Sequence, residues 1–184
     1  SSDLSFTSLE RARMPVLAAI QGGCIGGAVD MVTAADMRYC SADAFFCVQE
    51  INIGMTADVG TLQRLPKLIP EGIARELAYT GDRMPAQRAL ECGLVNEVFD
   101  DHETLVEGTL EIAARIAAKS PLAIWGTKEM IGFTRDHSVA DSLKYMAGWQ
   151  SGMFQPADMM EEFGAKAEQR PAAFEPIPPR PQAI

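Results

Sequence analysis

Short apolar runs alternate with helix-like segments through the first hundred residues of the chain. Residues 16–20 form a continuous apolar run after Pro15, and a run of this length predicts a buried strand. The glycine-rich stretch that follows breaks the chain, and the apolar spacing of 28–35 then predicts a helix. Another helix is predicted to begin with Pro85 at its first position and to end at Gly93. Further strands are predicted at 37–40, 44–48 and 94–99, and further helices at 61–68 and 72–79.

From residue 103 onward the hydrophobic pattern is almost wholly helical. One helix is predicted to reach about residue 118, a second to start after Ser120 and a third to follow Ser138. Ser138 and Asp141 have the spacing of a capping box, with aspartate in the position usually held by glutamate. The chain therefore changes from mixed strands and helices to helices alone.

This change predicts two regions, a strand-and-helix core at 1–118 and a helical region at 119–184. The proline-rich tail, 176–181, cannot form a helix or a central strand. Several apolar side chains of the helical region suit either a buried contact between subunits or the core of the chain itself. They are Met146, Trp149, Met153, Met159 and Met160.

Composition excludes several classes of function. The chain has 184 residues, of which 16 are basic and 25 acidic, and its formal charge of −9 argues against nucleic acid as a partner. No apolar run is long enough to cross a bilayer. Two histidines are too few for a metal site, and no G-x-S-x-G motif supports a serine hydrolase. The four cysteines form no C-x-x-C pair and are predicted to be free and buried, in a reducing compartment.

A glycine-rich turn follows the first predicted strand, with glycines at 22, 23, 26 and 27. Glycines let the backbone approach a ligand closely, and the first amides of a helix lack intrahelical partners. The spacing G-G-x-x-G-G fits neither the Walker nor the Rossmann phosphate-binding motif. Two interpretations remain: an oxyanion site, in which backbone N–H groups face a carbonyl oxygen, or a structural turn that packs the helix against the sheet.

Three acidic residues, Asp30, Glu50 and Asp58, lie in this otherwise apolar region. Each has a simpler explanation, because Asp30 can complement a helix N-terminus, Glu50 can be a solvated residue at a strand end and Asp58 can form a turn. Buried carboxylic acids, however, tend to have raised pKa values, which proton-transfer catalysts near neutral pH need. Three acids in one short region point to an enzyme.

Six segments carry a family resemblance: 15–31, 35–39, 46–60, 93–98, 119–123 and 127–128. They resemble the enoyl-CoA hydratase/isomerase, or crotonase, superfamily over nearly the whole chain. The resemblance implies an α/β fold with a crotonase-like ββα spiral core followed by a C-terminal helical trimerisation region. It also implies that the N-terminal part of the core is absent from this chain, because 1–13 resembles only the helix before the signature strand.

Within the superfamily the acidic positions distinguish the activities. Hydratases hold a water between two glutamates, at the positions of Asp30 and Glu50. Here the first is an aspartate, and Asp58 stands where hydratases typically carry glycine. This combination is similar to Δ3,5-Δ2,4-dienoyl-CoA isomerases. It implies conversion of 3,5-dienoyl-CoA to 2,4-dienoyl-CoA in the β-oxidation of unsaturated fatty acids.

The resemblance also implies the catalytic roles. Asp58 would take the proton from C2, Glu50 would deliver one to C6, and Asp30 would tune their protonation or orient the substrate. The N–H of Gly27, with a second backbone N–H, would hold the thioester oxygen. The substrate-binding turn would comprise Gly23, Gly26 and Gly27. No cofactor and no metal are implied, since coenzyme A is part of the substrate.

The partners implied by the resemblance are the acyl-CoA thioester and further copies of the chain, in a homotrimer or homohexamer, with neither nucleic acid nor membrane. The bacterial cytoplasm is the expected location, with a mitochondrial or peroxisomal origin left open. Alternatives are a 2-enoyl-CoA hydratase and a non-catalytic acyl-CoA-binding protein. A Clp-type peptidase of related fold would need a serine at the turn, which offers only Cys24.

Overall fold

The computed structural model describes residues 2–177 and 179. The chain forms two compact units, residues 1–112 and 113–184. No helix in the described part of the chain is both long and apolar enough to cross a membrane. Of the predicted proline-rich tail, residues 178, 180 and 181 lie outside the described residues.

Within the described part of the first unit, short strands form two three-stranded sheets. The strands are β1 (Leu17–Ile20), β2 (Gly23–Ile25), β3 (Met37–Ser41), β4 (Phe45–Cys47), β5 (Met84–Pro85) and β6 (Glu97–Phe99). One sheet has the order β1-β3-β6 and is parallel, with Ile20 opposite Cys40 and Cys40 opposite Val98. In the other, β4 pairs with β2 in parallel and with β5 antiparallel.

Helices precede, connect and follow these strands. They are α1 (Ser2–Glu10), α2 (Gly27–Thr33), α3 (Thr61–Arg64), α4 (Glu71–Thr80) and α5 (Ala86–Glu91), followed by α6 (His102–Ala117) and accompanied by 3₁₀ turns at Gln49–Ile53 and Leu65–Lys67. Parallel strands need a crossover connection, and α2 supplies it between β1 and β3. The glycine turn at the start of α2 therefore connects β2 to this crossover helix.

The core of the first unit is apolar and includes the fully buried side chains of Phe46, Leu65 and Leu94. Arg38 is also buried, at the start of β3. Its guanidinium donates to the carbonyl oxygens of Leu94 (2.7 Å) and Ala35 (2.8 Å). A buried charge is tolerated only when it is well bonded, so Arg38 fixes the end of α2 against the segment that leads into β6.

The second unit consists of helices. They are α7 (Pro121–Thr134), α8 (Val139–Met153) and α9 (Pro156–Ala167). The Ser120 hydroxyl accepts the Ala123 N–H (3.2 Å) and the Ser138 hydroxyl accepts the Asp141 N–H (3.1 Å). Both serines thus cap their helices, which confirms the predicted helix starts and the predicted cap at Ser138.

Aromatic rings pack α7 against α8. Trp125 meets Trp149 edge to face, with ring centroids 5.1 Å apart, and Phe133 stacks on Tyr145 at 4.4 Å. A cavity of about 660 Å³ opens beside Trp149 and is lined mainly by apolar side chains. Many large apolar side chains of this unit are nevertheless exposed: Ile131, Val139, Leu143, Met146, Phe154, Met159, Met160 and Phe163.

The structure corrects the predicted elements at several points. β2, α9 and the 3₁₀ turn Gln49–Ile53 were not predicted. The predicted helix 61–68 is α3 followed by a 3₁₀ turn, because Pro66 has no N–H to continue the α-helical pattern. Pro85 precedes its helix instead of starting it, since the chain is still extended there and pairs with Phe45. The strand predicted at 94–99 is confined to β6.

Candidate active site

The glycine turn between β2 and α2 leaves one backbone amide accessible. The Gly26 N–H donates to the Cys47 carbonyl (2.9 Å), which ties the turn to β4. Gly27 is exposed and is the first residue of α2, so its N–H has no intrahelical carbonyl. Among the described residues, a Cβ on Gly27 would meet no atom within 4 Å, whereas one on Gly23 would lie 3.0 Å from the Phe45 ring. Gly27 can therefore donate to a ligand, while the missing side chain of Gly23 serves packing.

Glu50 lies against this turn. It belongs to the 3₁₀ turn Gln49–Ile53 and is half-buried. A Cβ on Gly26 would lie 3.0 Å from Oε1 of Glu50, so only a residue without a side chain lets the carboxylate sit so close to the backbone. The structure thus brings together two features that are about twenty-five residues apart in sequence, the glycine turn and a carboxylate.

The turn that carries Glu50 is held from both sides. The Glu50 carbonyl accepts the Met55 N–H (2.9 Å). The Asn52 amide donates to the carbonyl of Gly81 (2.9 Å), at the end of α4, and to Oε1 of Gln49 (3.1 Å). These bonds fix the backbone on each side of Glu50, so its carboxylate is presented by a supported turn and not by a free strand end.

Asp58 is exposed, in the loop between the 3₁₀ turn and α3. Its neighbour Ala57 is buried, which anchors the loop to the core. On the other side, the Val59 carbonyl accepts a hydrogen bond from Nη1 of Arg64 (3.2 Å). Asp58 is therefore an accessible carboxylate on a backbone that is fixed immediately before and after it.

Asp30 differs from the other two acids because it is fully buried in α2. Its Oδ1 accepts the N–H of Thr61 (2.7 Å), the first residue of α3. Within the described residues its Oδ2 has no hydrogen-bond partner. The simpler expectation, that Asp30 serves the N-terminus of its own helix, misses this contact: Asp30 supports the N-terminus of α3, three residues after Asp58.

The structure does not support a thiol nucleophile at this turn. Burial raises the pKa of the Cys24 thiol to about 12 and that of Cys40 to about 11, so both thiols are protonated at neutral pH. Cys24, Cys40 and Cys47 are buried and free, and Cys92 is free and partly buried. Among the described residues, no group of three or more His, Cys, Asp or Glu side chains is placed to hold a metal ion.

Two residues of the site were missed by sequence reasoning, Asn52 and Arg64. Asn52 could have been found because a single amide in a turn commonly bonds to backbone. Arg64 follows Gly60 by one helical turn and carried no local signal, since a basic residue at the end of a short helix is ordinarily exposed. Its burial became visible only in the structure.

Comparisons with known proteins show the family of the chain. Residues 2–176 match the sequence model of the family described as enoyl-CoA hydratase/isomerase. The chain is 49% identical over 167 residues to the mitochondrial Delta(3,5)-Delta(2,4)-dienoyl-CoA isomerase of Homo sapiens, covering 90% of this chain and 51% of that protein. It is 44% identical over 174 residues to the peroxisomal Delta(3,5)-Delta(2,4)-dienoyl-CoA isomerase of Arabidopsis thaliana, covering 95% of this chain and 63% of that protein.

Solved structures share the fold. An enoyl-CoA hydratase from Bacillus anthracis superposes with a TM-score of 0.89 at 32% identity, covering 94% of this chain and 67% of that one. The chain thus spans about half the length of the mammalian relative and two thirds of this structure. With its mixed sheets and helices, it has part of a crotonase-like α/β fold, and the chain belongs to the enoyl-CoA hydratase/isomerase family.

Proposed function

We propose that the protein containing this chain isomerises 3,5-dienoyl-CoA to 2,4-dienoyl-CoA in the β-oxidation of unsaturated fatty acids. One observation carries the proposal: an exposed carboxylate at Asp58 and a half-buried carboxylate at Glu50 lie on adjacent, separately supported segments. An isomerase needs two such groups, because it removes a proton at one carbon and returns one four carbons away. The relatives that are named dienoyl-CoA isomerases support it.

The proposed reaction begins with the thioester carbonyl oxygen accepting the Gly27 N–H. Asp58, as carboxylate, removes a proton from C2, and the electron pair of that C–H bond moves into the conjugated system to give a trienolate. The trienolate oxygen carries negative charge, which a backbone donor stabilises. Glu50, as carboxylic acid, then protonates C6, and the double bonds come to rest at C2 and C4. Proton exchange with solvent resets both acids.

Asp30 has a supporting role in this proposal. Its carboxylate is buried and bonded to the Thr61 N–H, so it does not reach the substrate from an exposed position. It fixes the start of α3 and, through it, the loop that carries Asp58. Asp30 would therefore orient the site through α3, a role that differs from the two implied by the resemblance, which were to tune the protonation of the other acids or to orient the substrate.

The proposed reaction requires no cofactor. The C2 proton is already acidified by the thioester and by the two conjugated double bonds, so carboxylates and backbone donors suffice. Coenzyme A enters as part of the substrate. Buried free thiols fit a reducing compartment, such as the bacterial cytoplasm or the mitochondrial matrix, and two of the relatives are named mitochondrial and peroxisomal.

Ultraviolet absorbance tests the proposal directly. The double bonds of the 2,4-dienoyl product are conjugated with the thioester and those of the 3,5-dienoyl substrate are not, so the two compounds absorb differently. The protein in its longest natural form would be mixed with 3,5-dienoyl-CoA and compared with its Asp58→Asn and Glu50→Gln variants. Asp100→Asn is the matched control, since Asp100 is an exposed acid at the end of β6. The expected result is diene formation that each site variant lowers at least about 100-fold and that the control retains.

Two other outcomes would replace the proposal. Loss of the absorbance of a 2-enoyl-CoA, with no action on the 3,5-diene, would identify a hydratase. Stoichiometric binding of acyl-CoA without conversion of either substrate would identify a non-catalytic binding protein. Absorbance reads the first outcome and calorimetric titration with acyl-CoA reads the second, so the choice among the three functions does not depend on the variants.

A further inference from the structure

Arg64 is a buried charged residue close to Asp58. It is the last residue of α3, and its side chain is 9% exposed. Its Nη1 donates to the Val59 carbonyl (3.2 Å), and its Nη2 donates to the Thr7 hydroxyl (3.2 Å) and to Oε2 of Glu10 (3.0 Å). One guanidinium thus joins the loop that carries Asp58 to α1.

We infer that Arg64, with Glu10 as its counter-charge, is a positioning residue for Asp58. The inference rests on the proposed function, in which Asp58 is the base that takes the C2 proton. Arg64 does not touch the substrate in this account. Arg64 acts through the Val59 carbonyl, which is one peptide unit from Asp58. Its hydrogen bond there keeps the exposed Asp58 carboxylate in a fixed position.

Gly60 shows that the chain makes room for this contact. Its φ of 126° is one that residues with side chains rarely adopt, and a Cβ there would overlap Nη1 of Arg64. The guanidinium therefore crosses directly over the Gly60 backbone to reach α1. A side chain at this position would displace Arg64, so the glycine and the arginine form one arrangement.

The loop is fixed on the other side of Gly60 by Asp30, whose Oδ1 accepts the Thr61 N–H (2.7 Å). The loop that carries Asp58 is thus held by two buried polar side chains, Arg64 at Val59 and Asp30 at Thr61. Arginine suits the position beside Gly60 because its planar guanidinium donates hydrogen bonds in several fixed directions at once. Lysine would keep the charge opposite Glu10 but could not bond to Val59 and α1 together.

The kinetic consequence is specific. When a catalytic carboxylate is displaced by about an ångström, the rate of the catalysed step can fall about 100-fold while the substrate still binds. Replacing Arg64 should therefore lower kcat about 100-fold with little change in KM. A residue with only a structural role would lower the amount of folded enzyme and leave kcat per folded molecule unchanged.

The experiment compares Arg64→Met, Arg64→Lys and Glu10→Gln in the longest natural form of the protein, with Arg88→Met as control. Arg88 forms an exposed ion pair with Glu76 (2.6 Å), remote from the loop in sequence. Thermal melts establish the folded fraction, diene formation gives kcat and KM, and hydrogen–deuterium exchange follows the amides of residues 55–63. Arg64→Lys and Glu10→Gln decide the question if Arg64→Met does not fold.

The expected result is a lower kcat with a retained KM and faster exchange across 55–63 in the Arg64 variants, with Glu10→Gln intermediate and Arg88→Met like wild type. An unchanged kcat per folded molecule, or exchange in 55–63 no faster than in the control, would overturn the inference. If the wild type converts no dienoyl-CoA, the proposed function fails by itself. The exchange data then still decide whether Arg64 holds the loop.

Discussion

The segments that carry Glu50 and Asp58 follow one another in the chain but are fixed in different ways. Glu50 is half-buried, with one carboxylate oxygen against the Gly26 backbone, in a turn held by backbone and amide hydrogen bonds. Asp58 is exposed, on a loop held by two buried polar side chains, Asp30 and Arg64. The difference teaches that an exposed carboxylate can be kept in place by buried side chains that bond to its loop, whereas a half-buried carboxylate is placed by the packing of its own turn.

The largest effect is expected from removing the accessible base. Asp58→Asn should lower kcat for diene formation by about 10³–10⁴-fold, at the upper end of what one general base contributes. The fold should be unaffected, because the Asp58 side chain is exposed. Absorbance measurements of diene formation from the 3,5-diene give kcat, and a thermal melt shows whether the fold is retained. Wild-type kcat in a folded Asp58→Asn protein would remove Asp58 from the mechanism.

A somewhat smaller effect is expected at the half-buried acid, and it separates the two roles. Glu50→Gln should lower diene formation about 100-fold but should still let Asp58 exchange the C2 proton with solvent. Incorporation of deuterium at C2, read by mass spectrometry of recovered substrate, measures this partial reaction. If exchange at C2 is lost together with isomerisation, the assignment of separate protons to Glu50 and Asp58 is wrong.

Two glycines test how the Asp58 loop is held. Gly60→Ala displaces the Arg64 guanidinium and breaks its ion pair with Glu10, so the free energy of unfolding should fall by about 3 kcal/mol. Gly54→Ala, also at a positive φ (76°) but with no described atom within 4 Å of its Cβ, should cost only about 1 kcal/mol. Urea unfolding of the two variants gives the comparison, and equal losses would contradict it.

The smallest effect is expected in the turn of Glu50. Asn52→Ala removes the hydrogen bonds to the Gly81 carbonyl and to Gln49 and should lower the free energy of unfolding by about 1 kcal/mol. Because the backbone bond between Glu50 and Met55 remains, kcat should fall less than in the Arg64 variants. Gln63→Ala, an exposed change in α3, is the control. A larger kcat loss for Asn52→Ala than for Arg64→Lys would reverse the comparison.

Much of the fold follows from local pattern. The apolar run 16–20 contains β1, the capping serines start α7 and α8, and Gly81 ends α4, each as predicted, although within β1 only Ile20 is buried and not the whole strand. The elements that were not predicted share a cause, because their structure depends on the segments with which they pair and not on their own residue pattern. β2 is three residues long and contains a glycine, so it has no periodicity, and it is a strand because it pairs with β4.

The division at residue 118 and the oligomerisation of 119–184 stay predictions. The boundary between the two compact units falls between residues 112 and 113, within α6. The helical unit exposes several large apolar side chains, among them Met146, Met159 and Met160. These side chains favour the predicted contact with further copies of the chain, which sedimentation of the protein can test.

The sequence alone determined the family, the glycine turn and the identity of the three acids, since these are properties of local residue types and their spacing. The tertiary structure decided what surrounds each acid and which distant segments support it. Asp30 meets an amide 31 positions away, and Arg64 reaches a carboxylate 54 positions away. A buried charge is stable only with a partner, and that partner is chosen by how distant segments pack, which no local pattern encodes.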